Sequence, residues 1–154
     1  MREILFRGKC PDTGKWYEGQ YIHLHKTTFC FKEDYDHYPD NDIHQIVFER
    51  MTDWGLPNQH FRADVAPDTV GQFTGRTDMK HKRIFEGDIC RFHNDDGETT
   101  DSMVCWDETE SQWQIRCVDR GDKDVLDSFY AERCEVVGNI HDNPGLLEVA
   151  GDGV

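Results

Sequence analysis

Apolar and polar residues alternate along short stretches of this chain, and the clearest of these is 112–118. Up to Cys117 its odd-numbered positions are apolar and its even-numbered positions are polar, namely Trp113, Ile115 and Cys117 against Gln112, Gln114 and Arg116. A period of two places alternate side chains on opposite faces of a strand. The stretch therefore predicts a β-strand with the first set facing a core and the second facing water.

Other short runs rich in aromatic and β-branched residues predict further strands. They lie at 3–7, 15–25, 28–31, 44–49, 69–73, 89–93, 103–107 and 135–140. Gly19 falls inside the second run, where it predicts a bend or a bulge. Glu108–Ser111 separates two of the runs and predicts a hairpin turn.

Three segments lack a strand pattern. Residues 32–41 are acidic and aromatic without a helical or strand period, which predicts an acidic loop. Residues 50–68 contain Gly55, Pro57 and Pro67, so we expect an irregular connection with at most one helical turn. Residues 123–129 fit either a strand or a short helix.

Many short strands divided by turn residues predict an all-β fold, a small β-sandwich or barrel. We expect short antiparallel strands and the acidic loop in an N-terminal subdomain, 1–68. We expect an SH3-like barrel in a C-terminal half, 69–147, followed by a frayed tail at 148–154.

The charge balance limits the partners. The chain of 154 residues has 31 Asp and Glu against 17 Lys and Arg, a formal net charge of −14. Direct binding to nucleic-acid phosphates is disfavoured because it requires clustered basic residues. The acidity fits either a soluble protein or one that faces a basic partner or imitates nucleic acid.

The location of the protein is also constrained. The apolar run near Met1 is too short for a signal peptide, and no stretch is long and apolar enough for a membrane span. The six cysteines contain no C-x-x-C pair and are interpreted as reduced thiols. We therefore expect a cytoplasmic protein that has no membrane contact.

The stretch 70–89 carries the most distinctive residues of the chain. Thr74, Gly75 and Asp78 are followed by the run Ile84-Phe85-Glu86-Gly87-Asp88-Ile89, and Gly138, Asn139 and Pro144 follow near the end. Together with the opening residues 1–7 and the closing segment 135–147, these blocks resemble the phage-encoded YopX-like family in order and over nearly the whole chain. The resemblance implies an all-β protein of phages and prophages with a barrel-like C-terminal half, and it implies no reaction.

Turn geometry gives these signature residues structural roles, because Gly accepts positive φ and Asp bonds backbone amides. One departure from the family pattern is Lys80-His81, where relatives commonly have Asn-Gly. We expect either a wider loop from Asp78 to Arg83 or a positive φ at His81.

A metal site is one hypothesis for the N-terminal half. His23 and His25 flank Leu24, so on a strand both imidazoles project from one face. A third ligand would come from His37, His44, His60 or the acidic loop, which includes Asp34, Asp36, Asp40 and Asp42. The preferred interpretation is that these are exposed strand histidines, so neither a metal nor a cofactor is expected.

No nucleophile elbow, Walker or dinucleotide-binding motif occurs in the sequence. We therefore expect no catalytic residues and a non-enzymatic protein that binds another protein, with a homo-oligomer as one form. The sequence has more aromatic residues than a small core needs, and some of them are expected at an interface. The candidates are Trp16, Tyr17, Tyr21, Tyr35, Tyr38 and Trp54. The alternatives are a nucleic-acid-associated or DNA-mimicking factor and, third, a small hydrolase.

Overall fold

The computed structural model describes residues 1–148. The chain divides into an N-terminal unit, residues 4–72, and a C-terminal unit made of Met1–Glu3 and the chain from Phe73 onward. Strands dominate both units and all of their pairings are antiparallel, so the all-β prediction is confirmed. The predicted frayed tail lies outside the described residues apart from Glu148. No helix within the described residues has the length and apolar character needed to cross a membrane.

The N-terminal unit is one antiparallel sheet. Its elements are β1 (Phe6–Lys9), β2 (Trp16–His25), α1 (Lys32–His37), a 3₁₀ turn (Pro39–Asn41), β3 (Asp42–Arg50), β4 (Gln59–Asp64) and a second 3₁₀ turn (Pro67–Thr69). The strand order is β4-β3-β2-β1, and β1 then pairs with Gly71 and Gln72 at the start of β5 (Gly71–Thr77). Ile46 and Val65 are buried here, and stacked aromatic rings add to the apolar packing.

The C-terminal unit contains most of the buried apolar side chains of the described residues. Its further elements are β6 (Arg83–Phe85), β7 (Asp88–His93), β8 (Thr99–Asp107), β9 (Gln112–Cys117), β10 (Lys123–Val125), α2 (Ser128–Ala131), β11 (Cys134–Asn139) and a 3₁₀ turn (Pro144–Leu147). Five strands form a sheet in the order β10-β9-β8-β7-β11. The core cluster consists of Ile84, Cys90, Val104, Ile115, Leu126, Ala131, Cys134 and Val136. The SH3-like assignment stays a prediction.

Two predictions about residues 28–41 are wrong. Residues 28–31 form no strand: the Tyr35 hydroxyl accepts from the N–H of Phe29 and donates to its C=O, so both backbone groups bond a side chain instead of a neighbouring strand. The prediction of an acidic loop at 32–41 is also incorrect, because residues 32–37 form α1 and Pro39–Asn41 form a 3₁₀ turn. Glu33 and Asp34 lie in the first turn of α1, where negative charge favours a helix.

The connection predicted at 50–68 contains a strand that was missed. β4 pairs with β3 from Gln45↔Asp64 to Arg50↔Gln59, so the two strands form a hairpin. Gly55, Pro57 and Pro67 lie outside β4, in the segments before and after it. The prolines therefore limit the strand without excluding it.

Gly19 marks a close approach of two strands, and its pairing with β1 shows no bulge. It pairs with Phe6 in an unshifted register within β2. A Cβ at this position would lie 2.1 Å from the carbonyl oxygen of Val47 on β3. Glycine is needed because no other residue leaves space for the neighbouring backbone.

Three further details differ from the sequence pattern or decide between its alternatives. Gln114, predicted to face water, is buried and Trp113 is only half-buried, whereas Ile115 is buried and Arg116 exposed as expected. Residues 123–129 contain both predicted alternatives, β10 and the start of α2. His81 adopts φ 64°, so the turn that lacks glycine keeps its shape through a positive φ.

Candidate functional site

The most chemically distinctive cluster lies on one face of the β2–β3 ladder in the N-terminal unit. Directly opposite residues in an antiparallel pair share a face, and His23 lies opposite His44 while His25 lies opposite Asp42. His23, Asp42 and His44 offer ligand atoms that all lie within 4.8 Å of one another. The sheet thus assembles residues from two sequence-distant segments into one polar patch.

The carboxylate of Asp42 joins the two histidines of β2. Its Oδ1 lies 3.1 Å from His25 Nε2 and 3.6 Å from His23 Nε2. The His23 and His44 rings stack with their centroids 4.3 Å apart. All three imidazoles are therefore held in contact with their neighbours in the cluster.

Tyr21 supports the cluster from the next position on the same face of β2. Its hydroxyl lies 2.5 Å from His44 Nδ1, so one ring nitrogen of His44 has a fixed partner. Burial lowers the pKa of His44, and the neighbouring His23 acts in the same direction against the carboxylate of Asp42. Burial raises the pKa of Tyr21, with the Asp42 charge adding to the effect. Both effects favour neutral side chains here.

Solvent reaches the cluster. The side chains of His23, His25 and Asp42 are about one-third to one-half exposed. Asp42 and His44 also line an open depression, whose other walls include Lys26 and Asp64. A dissolved ion or small molecule therefore has a path to these groups.

The other candidate histidines, His37 and His60, are not members of this cluster, whereas Asp40 lines the same depression as Asp42 and His44. His60 on β4 faces Glu49, with Nε2 4.0 Å from Oε2. His37 ends α1, and its ring contacts Tyr38. Of the proposed third ligands the structure brings in His44 and Asp42, and Asp42 belongs to β3 rather than to a loop.

The signature residues lie in the C-terminal unit and have backbone partners. Thr74 Oγ1 donates to the Ile84 carbonyl, and Gly75 has φ 86°. Asp88 Oδ2 accepts from the Phe85 N–H at 2.7 Å, while Gly87 adopts φ 85° beside it. Glu86, the remaining member of this turn, is half-buried. These contacts give a structural account of the stretch without catalysis.

The closing part of the signature forms a second turn. Asn139 Oδ1 accepts from the backbone N–H groups of His141 and Asp142, and Asn139 N–H donates to Asn143 Oδ1. Pro144 begins the last 3₁₀ turn. Gly138 leaves space for Asn143, whose Oδ1 would lie 2.4 Å from a Cβ at that position.

The six cysteines are all free thiols. Cys90 and Cys134 are fully buried in the core cluster, where Cys serves as a small apolar residue. The pKa of Cys90 is raised well above its ordinary value, mainly by its hydrogen bond with Cys134 and by burial. This thiol is therefore held in its unreactive protonated form.

The tip of the β3–β4 hairpin presents a second surface feature. Met51, Trp54 and Leu56 are exposed by 64%, 87% and 58%. The sequence drew attention to Trp54 but not to the other two, since their common location depends on the unrecognised hairpin. We call these three residues the hairpin-tip patch.

Comparisons with known proteins give a family and a fold. The family described as "YopX protein" matches residues 5–148. A crystal structure of protein EF1440 from Enterococcus faecalis is similar, with a TM-score of 0.53 at 18% sequence identity, covering 96% of this chain and all of that chain. No curated protein sequence gave a match. At this identity the structural likeness bears on the fold alone.

Proposed function

The chain belongs to the YopX family, and we propose that it is a non-enzymatic accessory protein of phages or prophages that binds another protein in the host cytoplasm. The hairpin-tip patch is the binding surface in this proposal. The partner is a different protein with a basic surface.

The exposure of Trp54 is the observation that carries the proposal. A tryptophan side chain exposed by 87% leaves a large apolar surface in water, and two further apolar side chains lie within three residues of it. Trp and Met are enriched in protein interfaces, and Trp is among the commonest residues whose truncation weakens binding. A partner that covers the patch would remove this apolar surface from water.

The hairpin tip is ordered by its own hydrogen bonds. Asp53 Oδ1 accepts from the Trp54 N–H at 2.8 Å, and the Asp53 carbonyl accepts from the Leu56 N–H at 3.2 Å. Thr52 Oγ1 donates to the Pro57 carbonyl at 3.0 Å. A loop that is ordered before it binds loses less conformational entropy in the complex.

Charge favours a basic partner. The net charge of −14 attracts positively charged surfaces and repels nucleic-acid phosphates. Long-range attraction of this kind raises association rates and weakens as salt is added. Complex formation should therefore slow at high ionic strength.

The non-enzymatic part of the proposal is supported by the sequence, which contains none of the nucleophile or phosphate-binding motifs considered above. The histidine cluster on β2 and β3 matches none of those motifs.

The test is affinity capture with the tagged full chain from host cells, followed by binding measurements with the purified partner. Trp54→Ala is the probe, and Phe129→Ala is the matched control, because Phe129 is also an exposed aromatic but lies in the C-terminal unit. We expect both wild type and control to retain one protein that Trp54→Ala loses. With purified components, the Trp54→Ala substitution should raise Kd by about thirtyfold, as truncation of a central interface residue does.

Equal binding by wild type and Trp54→Ala would refute the hairpin-tip patch as the surface. Light scattering provides a second check. A dimer of the purified wild type that Trp54→Ala dissociates would show that the patch binds a second copy, contradicting the proposed different partner.

A further inference from the structure

We propose that His23, Asp42 and His44 bind one first-row divalent metal ion, of the class to which Zn²⁺ and Fe²⁺ belong. The inference concerns the β2–β3 face alone and does not rest on the proposed protein-binding function. It starts from the strand register, which places His23 directly opposite His44. Asp42 lies two residues before His44 on the same face of β3, opposite His25.

The backbone fixes where these side chains begin. Six consecutive residue pairs connect β2 to β3, from Gln20↔Val47 to His25↔Asp42. The ligands therefore stand on two hydrogen-bonded strands rather than on loops, which favours a reproducible site.

The distances are compatible with a site that closes around an ion. The candidate ligand atoms lie within 4.8 Å of one another. Bonds of about 2.0–2.2 Å in a tetrahedral arrangement bring ligand atoms about 3.4 Å apart. His23 and Asp42 already approach this value at 3.6 Å, and both side chains are exposed enough to adjust their rotamers.

Neighbouring groups would orient the ligands. The Tyr21 hydroxyl contacts Nδ1 of His44, which leaves Nε2 of that ring as the ligand atom. His25 Nε2 lies 3.1 Å from Asp42 Oδ1 and can donate to the carboxylate. Metal-ligating histidines and carboxylates usually have such hydrogen-bond partners, which fix their orientation.

The donor set decides the class of ion. Two imidazoles and one carboxylate suit Zn²⁺, and the same set with open positions also occurs in non-haem Fe²⁺ proteins. Mg²⁺ and Ca²⁺ prefer oxygen donors and should bind poorly. The open depression beside Asp42 and His44 leaves room for water or another small ligand on the ion.

The metal-free alternative is a set of hydrogen bonds between imidazoles and a carboxylate. Such a set would show no affinity for an ion beyond that of any surface histidine. Ligand substitutions therefore distinguish the two explanations when a more exposed histidine elsewhere, His60, serves as the control.

The experiment uses the full chain with its affinity tag removed, after treatment with a chelator. Isothermal titration calorimetry with Zn²⁺, with Fe²⁺ under anaerobic conditions and with Mg²⁺ measures stoichiometry and Kd. We expect one Zn²⁺ or Fe²⁺ per chain, no saturable binding of Mg²⁺, and a Tm that rises with the bound ion.

His23→Asn and Asp42→Asn remove ligands at exposed positions and should fold, which circular dichroism without metal would verify. Each should weaken binding of the preferred ion at least tenfold, whereas His60→Asn, a change at an exposed histidine beside Glu49, should leave Kd unchanged. His25→Asn removes the hydrogen bond between His25 and the carboxylate of Asp42. It should weaken metal binding by up to about a hundredfold.

A Co²⁺ complex supplies an independent signal, because its visible absorption reports the coordination geometry. The spectrum should be lost in Asp42→Asn and kept in His60→Asn. The proposal is wrong if wild type shows no saturable binding of Zn²⁺ or Fe²⁺, or if His60→Asn weakens binding as much as His23→Asn. Trp54→Ala should bind metal normally, so the protein-binding proposal and this one can fail separately.

Discussion

The Asp78 side chain accepts a hydrogen bond from the backbone N–H of Val136, 58 residues later in the chain, at 2.9 Å through Oδ2. Its other oxygen, Oδ1, accepts from the N–H groups of Lys80 and Lys82, each at 2.9 Å. One buried carboxylate thus joins the turn after β5 to strand β11 within the C-terminal unit. It also closes the turn in which His81 has a positive φ.

Asp78→Ala should destabilise the C-terminal unit by about 2 kcal/mol or more, because a buried unpaired donor such as the Val136 N–H costs about 1–3 kcal/mol and two partly exposed N–H groups also lose their acceptor. Asp95→Ala, in an exposed turn, is the control and should change the free energy of unfolding by less than about 0.5 kcal/mol. Urea denaturation gives the stability, and hydrogen exchange of the Val136 amide reports the lost bond. Native protection of that amide in Asp78→Ala would contradict the assigned role.

Gly87→Val should unfold the C-terminal unit. Gly87 has φ 85°, where a β-branched residue is strained by about 2 kcal/mol or more, and a Cβ there would lie 3.5 Å from Ile140 Cγ1. Its N–H and C=O also bond Val104 and Ile140, so the turn cannot relax freely.

Gly145→Ala is the control for Gly87→Val, because a Cβ at Gly145 meets no atom within 4 Å and φ there is not positive. Nuclear magnetic resonance spectra of both variants give the outcome, with loss of dispersed amide signals from 88–139 expected for Gly87→Val only. A folded Gly87→Val with native stability would refute the structural interpretation of the signature turn.

The sequence predicted the parts of the fold that local patterning determines. The alternation around Trp113 and Ile115, and the turn residues of the signature, led to the correct fold class because each depends on neighbouring residues alone. β4 was missed because Gly55 and Pro57 dominated the interpretation of its surroundings. The 28–31 segment has strand composition yet no strand, since composition does not reveal whether a partner strand is available.

The candidate metal cluster also depends on information that local sequence patterns do not contain. The spacing of His23 and His25 was visible in the sequence, but three other histidines and four aspartates of the acidic segment were all candidates for the third ligand. Only the β2–β3 register selects His44 and Asp42. Register depends on long-range pairing, so a single sequence identifies the residue types without assembling them.

Gly19→Ala should destabilise the N-terminal unit by about 2 kcal/mol or more. The new Cβ would lie 2.1 Å from the carbonyl oxygen of Val47, which is backbone and cannot rotate away, so β2 and β3 must separate locally. Gln20→Ala is the control, since it loses one exposed hydrogen bond to the Ile4 carbonyl. Thermal denaturation of both variants checks this, and an unchanged Tm for Gly19→Ala would show that the strands are not as close as described.

Asp107 should give the β8–β9 hairpin an acid-dependent stability. Its Oδ1 accepts from the N–H groups of Glu110 at 3.0 Å and Thr109 at 2.9 Å, and these bonds, led by that of Glu110, lower the pKa of the carboxyl from its ordinary 3.8. Because the pKa is lower in the folded state, the stabilisation is present above pH 3.8 and is lost as the pH falls through the folded pKa.

A carboxyl titration by nuclear magnetic resonance should therefore give a midpoint below 3.8, with the Thr109 and Glu110 amides shifting over the same range. Asp107→Asn keeps an acceptor but cannot titrate, so its hairpin amides should not respond in that range. A wild-type midpoint at or above 3.8 would mean that the two backbone bonds do not hold the charged carboxylate in solution.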